Sequence, residues 1–218
     1  MKGLLRDNFY AAYANEKIWF AIMFLVGIIV TIVIPDRSVF IRNYMLICLI
    51  GFSYVALDSL RKDSSCRWEK YKLTAPVTRA DIVRSCYAGQ LIWLAAGVLF
   101  AGVPVLLCIV MHGYPFDLRT DIWLIYIFGM SISLFMGAIF FPLFYLFGAE
   151  RKEVSLLLAI LSAIAVTVGL VALLNFLLGP GMTESRIFLS AFVILSCAVL
   201  AFGLSYLITI GIFNRKGY

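Results

Sequence analysis

Six long apolar stretches alternate with shorter polar segments along the chain. They run near residues 18–34, 43–60, 88–111, 122–148, 154–178 and 187–213. A bilayer's hydrocarbon core is ~30 Å thick and takes about 20 helical residues to cross, or somewhat fewer with snorkelling ends. The pattern therefore predicts an all-α polytopic membrane protein with six transmembrane helices. The second stretch is weakened by Asp58 near its end, and the first is short but bracketed by Lys17 and Pro35. Ahead of it, "MKGLLRDNFYAAYANEK" sets Leu4, Leu5, Phe9, Tyr10 and Tyr13 near one another at helical spacing. Arg6, Asp7 and Glu16 fall elsewhere on the turn, as in an amphipathic helix lying in the membrane interface over residues 1–17. An ordinary lead-in to the first span is the alternative.

The connecting segments "PDRSVFIRN", "HGYPFDLRTD" and "GPGMTESR" are short and rich in turn formers. None has the length of a domain, so any cargo must be handled by the spans. Pro104 and Pro142 fall inside the third and fourth spans, where a missing N–H kinks or loosens a helix. Gly129 and Ser133, four apart in the fourth span, suit a close helix contact.

Composition strengthens the membrane reading. Of 218 residues 63% are hydrophobic and 14% charged, whereas soluble domains hold roughly half and a quarter. One membrane domain over residues 1–218 accounts for the length, with no soluble catalytic domain expected. The net charge is +6, carried by 18 Lys and Arg against 12 Asp and Glu. With an even number of spans both termini lie on one side. All the Lys and Arg residues except Arg37, Arg42, Arg119 and Arg186 then lie on that same side. Positive charge stays in the cytoplasm, so both termini and the polar segment 61–87 are expected there. Topogenesis explains the basic charge, and no nucleic-acid partner is implied. Cys66 and Cys86 lie in the reducing cytoplasm without a nearby Cys or His companion, so neither a disulfide nor a metal site is expected. The first apolar run has no small-residue cleavage site after it, unlike a signal peptide.

Catalytic chemistry is missing from the pattern. His112 is the only histidine and sits at the end of a span. No Ser/His pair, paired Asp or His-rich metal motif is plausibly spaced, and there is no G-x-x-x-x-G-K-[ST] phosphate loop. No catalytic residue is assigned, and an enzyme is not expected. The span interiors also lack the buried carboxylates and histidines of ion-coupled carriers. Asp58 is expected to mark a membrane boundary and to pair with Arg61 or Lys62, and Asn175 does not titrate.

The exception to the apolar pattern is "SSCRWEKYKLTAPVTRADIV", residues 64–83. With Asp63 or Ser64 as N-cap, a short helix would place Trp68, Tyr71 and Ala75 on one face and Arg67, Lys70 and Lys72 around them. Pro76 interrupts it. Thr78 and Asp81, three apart, resemble a capping box that starts the next helix, although Asp replaces the usual Glu or Gln. Aromatics beside cations are typical anchors of protein interfaces. The same side chains also rest in lipid headgroups, and composition leaves both readings open.

The run "WEKYKLTAPVTRADIVRSCY" resembles the segment W-E-K-Y-x-L-x-x-P-V-[ST]-R-x-D-I-V between the second and third spans of short permeases of the type-2 ATP-binding-cassette exporters. Matching positions are Trp68, Glu69, Lys70, Tyr71, Leu73, Pro76, Val77, Thr78, Arg79, Asp81, Ile82 and Val83; Ser85, Cys86 and Gly211 depart from the pattern. The tail "SYLITIGIFNRKGY" is also similar. The resemblance implies that segment 61–87 is a cytoplasmic coupling helix docking in a separate ATPase subunit. Arg67, Trp68, Glu69, Lys70, Tyr71, Lys72, Arg79 and Asp81 would be its contact residues. It further implies that ATP and Mg are bound by that partner and not by this chain, and that a second permease, identical or similar, completes the pore. The path would be lined by the second and fifth spans, and the cargo would be amphipathic peptides, as in phenol-soluble modulin or bacteriocin-type exporters, or lipid-like molecules. A substrate-binding membrane subunit of an importer and a non-transporting sensor or immunity protein are the alternatives.

Overall fold

A computed structural model describes residues 2–33, 37–65, 78–113, 120–148, 151–178 and 183–215. These form six helices: α1 (Lys2–Val33), α2 (Arg37–Ser65), α3 (Arg79–His112), α4 (Thr120–Phe147), α5 (Lys152–Leu178) and α6 (Glu184–Arg215). Five are long and apolar enough to cross a membrane, over Ser38–Asp58, Ala80–Met111, Asp121–Phe147, Glu153–Leu177 and Glu184–Arg215. In α1 the apolar stretch is shorter, Lys17–Ile29.

Two helices extend differently from the expected pattern. Residues 2–33 are one helix, where an interfacial helix over 1–17 followed by a separate span was expected. No Gly or Pro falls between Leu4 and Val26, and Ala11, Ala12 and Ala14 favour continuation. Likewise α2 runs on to Ser65, so Asp63 and Ser64 lie in its last turn and not at the N-cap of a new helix. The third helix starts at Arg79, so residues 79–87 of the expected coupling loop are its opening turns. At 1.5 Å per residue α3 is about 50 Å long, well beyond the ~30 Å hydrocarbon core. Arg79, Asp81 and Arg84 occupy the excess.

The bundle is built around α4. Of its apolar window 67% is buried, against 22% for α5 and for α6. It packs most extensively on α6, then on α5 and α2. The Gly129/Ser133 pair makes the close approach to α2: a Cβ at position 129 would lie 3.0 Å from Leu49 Cβ. Ser133 Oγ donates to the Leu49 carbonyl at 2.9 Å. One turn further, Gly137 leaves the space filled by the Gln90 amide of α3, whose Nε2 donates to the Ser133 carbonyl at 2.9 Å. A second cluster, of aromatic rings, joins α1, α2 and α3. Phe20 stacks on Trp93 at 5.2 Å and meets Phe52 at 5.0 Å, and Phe52 meets Phe100 at 4.9 Å. Such pairs add about 0.5–1.5 kcal/mol each beyond the area they bury. Tyr44 Oη of α2 reaches back to the Met23 carbonyl of α1 at 2.9 Å.

Both prolines lie within continuous helices. Pro142 has no N–H to offer the carbonyl four residues back, at Ala138. Ser205 Oγ of α6 donates to that carbonyl at 2.6 Å. A neighbouring hydroxyl thus satisfies the backbone group the proline frees, which is how proline is accommodated in apolar helices.

Candidate functional site: the coupling segment and its anchorage

Of the expected docking residues, Arg67, Trp68, Glu69, Lys70, Tyr71 and Lys72 lie outside the described residues. Arg79 is the first residue of α3, and its side chain is likewise outside the description. Asp81 is placed, and it serves the helix start. Thr78 is the N-cap with extended backbone, φ −75° and ψ 152°. Its Oγ1 accepts from the Asp81 N–H at 3.3 Å, the Thr78 N–H donates to Asp81 Oδ2 at 3.4 Å, and the Thr78 hydroxyl donates to the same carboxylate at 2.6 Å. The capping box read from the sequence is therefore formed, with Asp standing in for Glu. A capped, charged first turn defines where the segment ends and the rigid helix begins.

Nine residues beyond the cap, Tyr87 ties that helix to the rest of the bundle. Its hydroxyl lies 2.8 Å from Ser205 Oγ and 2.9 Å from Thr209 Oγ1 of α6. The protons can be counted. Ser205 gives its proton to the Ala138 carbonyl and Thr209 gives its own to the Ser205 carbonyl at 2.8 Å. Tyr87 is then the donor, to one of the two oxygens. Its ring packs on Phe141 at 4.2 Å and Phe202 at 4.9 Å. Tyr87 thus joins the first turns of α3 to α6 by hydrogen bonds and to α4 by ring packing.

Sequence reading did not single out Tyr87, Ser205 or Thr209. The usable signal was two hydroxyl residues four apart in an apolar helix, together with a proline in another that needs a donor. Asp58, expected at the boundary, is buried at 5% exposure near the end of α2; the side chains of Arg61 and Lys62 lie outside the described residues.

A cavity of about 430 Å³ opens on a different side of α4, between α2 and α5. Arg42 and Leu46 of α2, Asp121, Leu124, Ile125, Phe128 and Ile132 of α4, and Thr167, Val168 and Val171 of α5 line it. Its body is apolar, and its two charged residues belong to the ends at which α2 and α4 begin. No cluster of three or more His, Cys, Asp or Glu suited to a metal ion occurs among the described residues.

An all-helical bundle of this kind, with five membrane-length apolar helices and a polar segment between the second and third helices, defines a polytopic membrane protein. The model of the ABC-2 family transporter protein matches residues 3–214. The chain belongs to the ABC-2 transporter family, membership that implies a permease-type membrane subunit working with an ABC ATPase. No curated protein and no solved structure matches it.

Proposed function

We propose that this chain is the six-span permease subunit of an ATP-driven exporter in a bacterial plasma membrane, with both termini cytoplasmic. The first span is the α1 segment from Lys17 onward. A separate ATPase, holding ATP and Mg, docks on the 61–87 segment through Trp68 and Tyr71, with Arg67, Glu69, Lys70, Lys72 and Arg79 around them. A second permease, identical or similar, completes the path. The cargo is amphipathic, a peptide or a lipid-like molecule, and leaves the cell along the α2 and α5 side of the bundle.

The observation that carries this reading is the family match over nearly the whole chain. The local architecture supports it. The polar segment runs between the end of α2 and the capped start of α3, and Tyr87 links that start to α4 and α6. A pull on the segment has a rigid route into the bundle. The test is reconstitution of the permease with its ATPase in vesicles. Amphipathic peptides should stimulate ATP hydrolysis and move across the membrane. Transport of a small hydrophilic solute, with no response to amphipathic peptides, would contradict the proposal.

A further inference from the structure

We infer that the cleft between α2 and α5 holds one acyl chain of a zwitterionic phospholipid from the surrounding bilayer, with its headgroup between Arg42 and Asp121. Three observations point to this occupant. The first is charge. Arg42 lies near the start of α2 and Asp121 at the start of α4, where the apolar spans begin and headgroups lie. No ion pair joins the two among the described residues, and both border the same cavity. A guanidinium pairs well with a phosphate, and the carboxylate is placed for the head's ammonium. An amphiphile with one charge would match only one of the two residues.

The second observation is size. The cavity measures about 430 Å³. A helix with its side chains is about 10 Å across, so this volume would hold roughly one helical turn. A threadlike alkyl chain fits within it, whereas a helical peptide would project beyond its walls. The lining below the charges is Leu46, Ile125, Phe128, Ile132 and Val171, and the Thr167 hydroxyl donates to its own helix at Ala163. The apolar body makes no polar demand on the tail.

The third observation concerns access. Ser133, Gln90, Ser205 and Tyr87 cross-link α2, α3, α4 and α6 by side-chain hydrogen bonds. In α5, Ser162 and Thr167 donate to carbonyls of α5 itself, and Ser155 donates to the Arg151 carbonyl just ahead of it. Apolar packing holds α5 on α4, and lipid tails are as apolar as the surface they would replace. A chain can enter between α2 and α5 without breaking any of these hydrogen bonds.

The test uses the full-length permease in nanodiscs containing a photoreactive phosphoethanolamine lipid with the reactive group in its tail. Cross-links should map to residues 124–132 and 167–171. Excess unlabelled zwitterionic lipid should compete at least ten-fold more effectively than anionic phosphatidic acid or a cationic alkyltrimethylammonium of equal chain length. R42Q should remove the preference over the cationic amphiphile, and D121N the preference over the anionic one. Val168→Trp, at an exposed position of the cleft wall, should abolish labelling with the melting temperature unchanged. Should a variant fail to fold, the competition series on the unmodified chain decides. Labelling spread evenly over the lipid-facing surface, or equal competition by all three headgroups, would overturn the inference.

Discussion

Ser205→Ala isolates one interaction whose cost can be worked from the structure. The Ala138 carbonyl has lost its intrahelical donor to Pro142, and Ser205 Oγ supplies the replacement at 2.6 Å. Tyr87 keeps Thr209 Oγ1 at 2.9 Å as an acceptor after the change, so its own hydroxyl stays bonded. What the variant loses is the donor to a buried carbonyl. An unsatisfied buried group costs about 1–3 kcal/mol, while side-chain bonds between membrane helices average about 0.6 kcal/mol. We expect a loss of about 1–2 kcal/mol. Pro142→Ala restores a peptide N–H facing Ala138, so in that background the same Ser205→Ala change should cost only about 0.5 kcal/mol. The double-mutant cycle cancels the separate effect of replacing proline and should show a coupling of about 1 kcal/mol. Reversible unfolding in mixed detergent micelles would measure all four proteins. Equal costs of Ser205→Ala with and without Pro142 would refute the idea that the serine serves the carbonyl that proline frees.

Gly137→Leu should be strongly destabilising, by several kcal/mol, because even a Cβ there meets the buried Gln90 amide, and thermal melting would show it. Thr78→Ala removes the N-cap and should cost about 1 kcal/mol; hydrogen exchange should speed up at the Asp81 and Ile82 amides, the first backbone bonds of the capped turn. For topology, a membrane-impermeant thiol reagent should miss Cys66 in intact cells and reach it after permeabilisation; labelling from outside would reverse the proposed orientation.

Much of the fold could be read from local pattern because a bilayer makes strong demands on a sequence. Apolar runs of membrane length mark α2 to α6, as the expected 122–148 and the observed Asp121–Phe147 illustrate, although the apolar part of α3 begins at Ala80 where residue 88 was expected. The Thr78/Asp81 cap was legible because a capping box is a local motif, and the Gly129/Ser133 approach because small residues signal close packing. Helix ends were less legible. Hydropathy marks where lipid stops, and α2 and α3 continue past that point until something breaks them. The hydroxyl pair and the proline hint at the Tyr87 node, but neither its members nor those of the Arg42/Asp121 cleft could be joined from sequence, because each brings together residues far apart in the chain. Their partners are set by which helices neighbour α4, and no periodicity encodes that.

On the proposed function, an outside ATPase grips this protein at the segment between α2 and α3. The most direct measurement compares the unmodified permease with the double variant Trp68→Ala, Tyr71→Ala, scoring co-purification of the ATPase and amphiphile-stimulated ATP hydrolysis side by side. Truncating a buried interface aromatic commonly costs on the order of 2 kcal/mol or more. The pair should therefore abolish both signals, while the permease itself remains folded because neither residue belongs to a span. A double variant that keeps full ATPase association and transport would show that these aromatics rest in lipid headgroups, and the docking site would have to lie elsewhere.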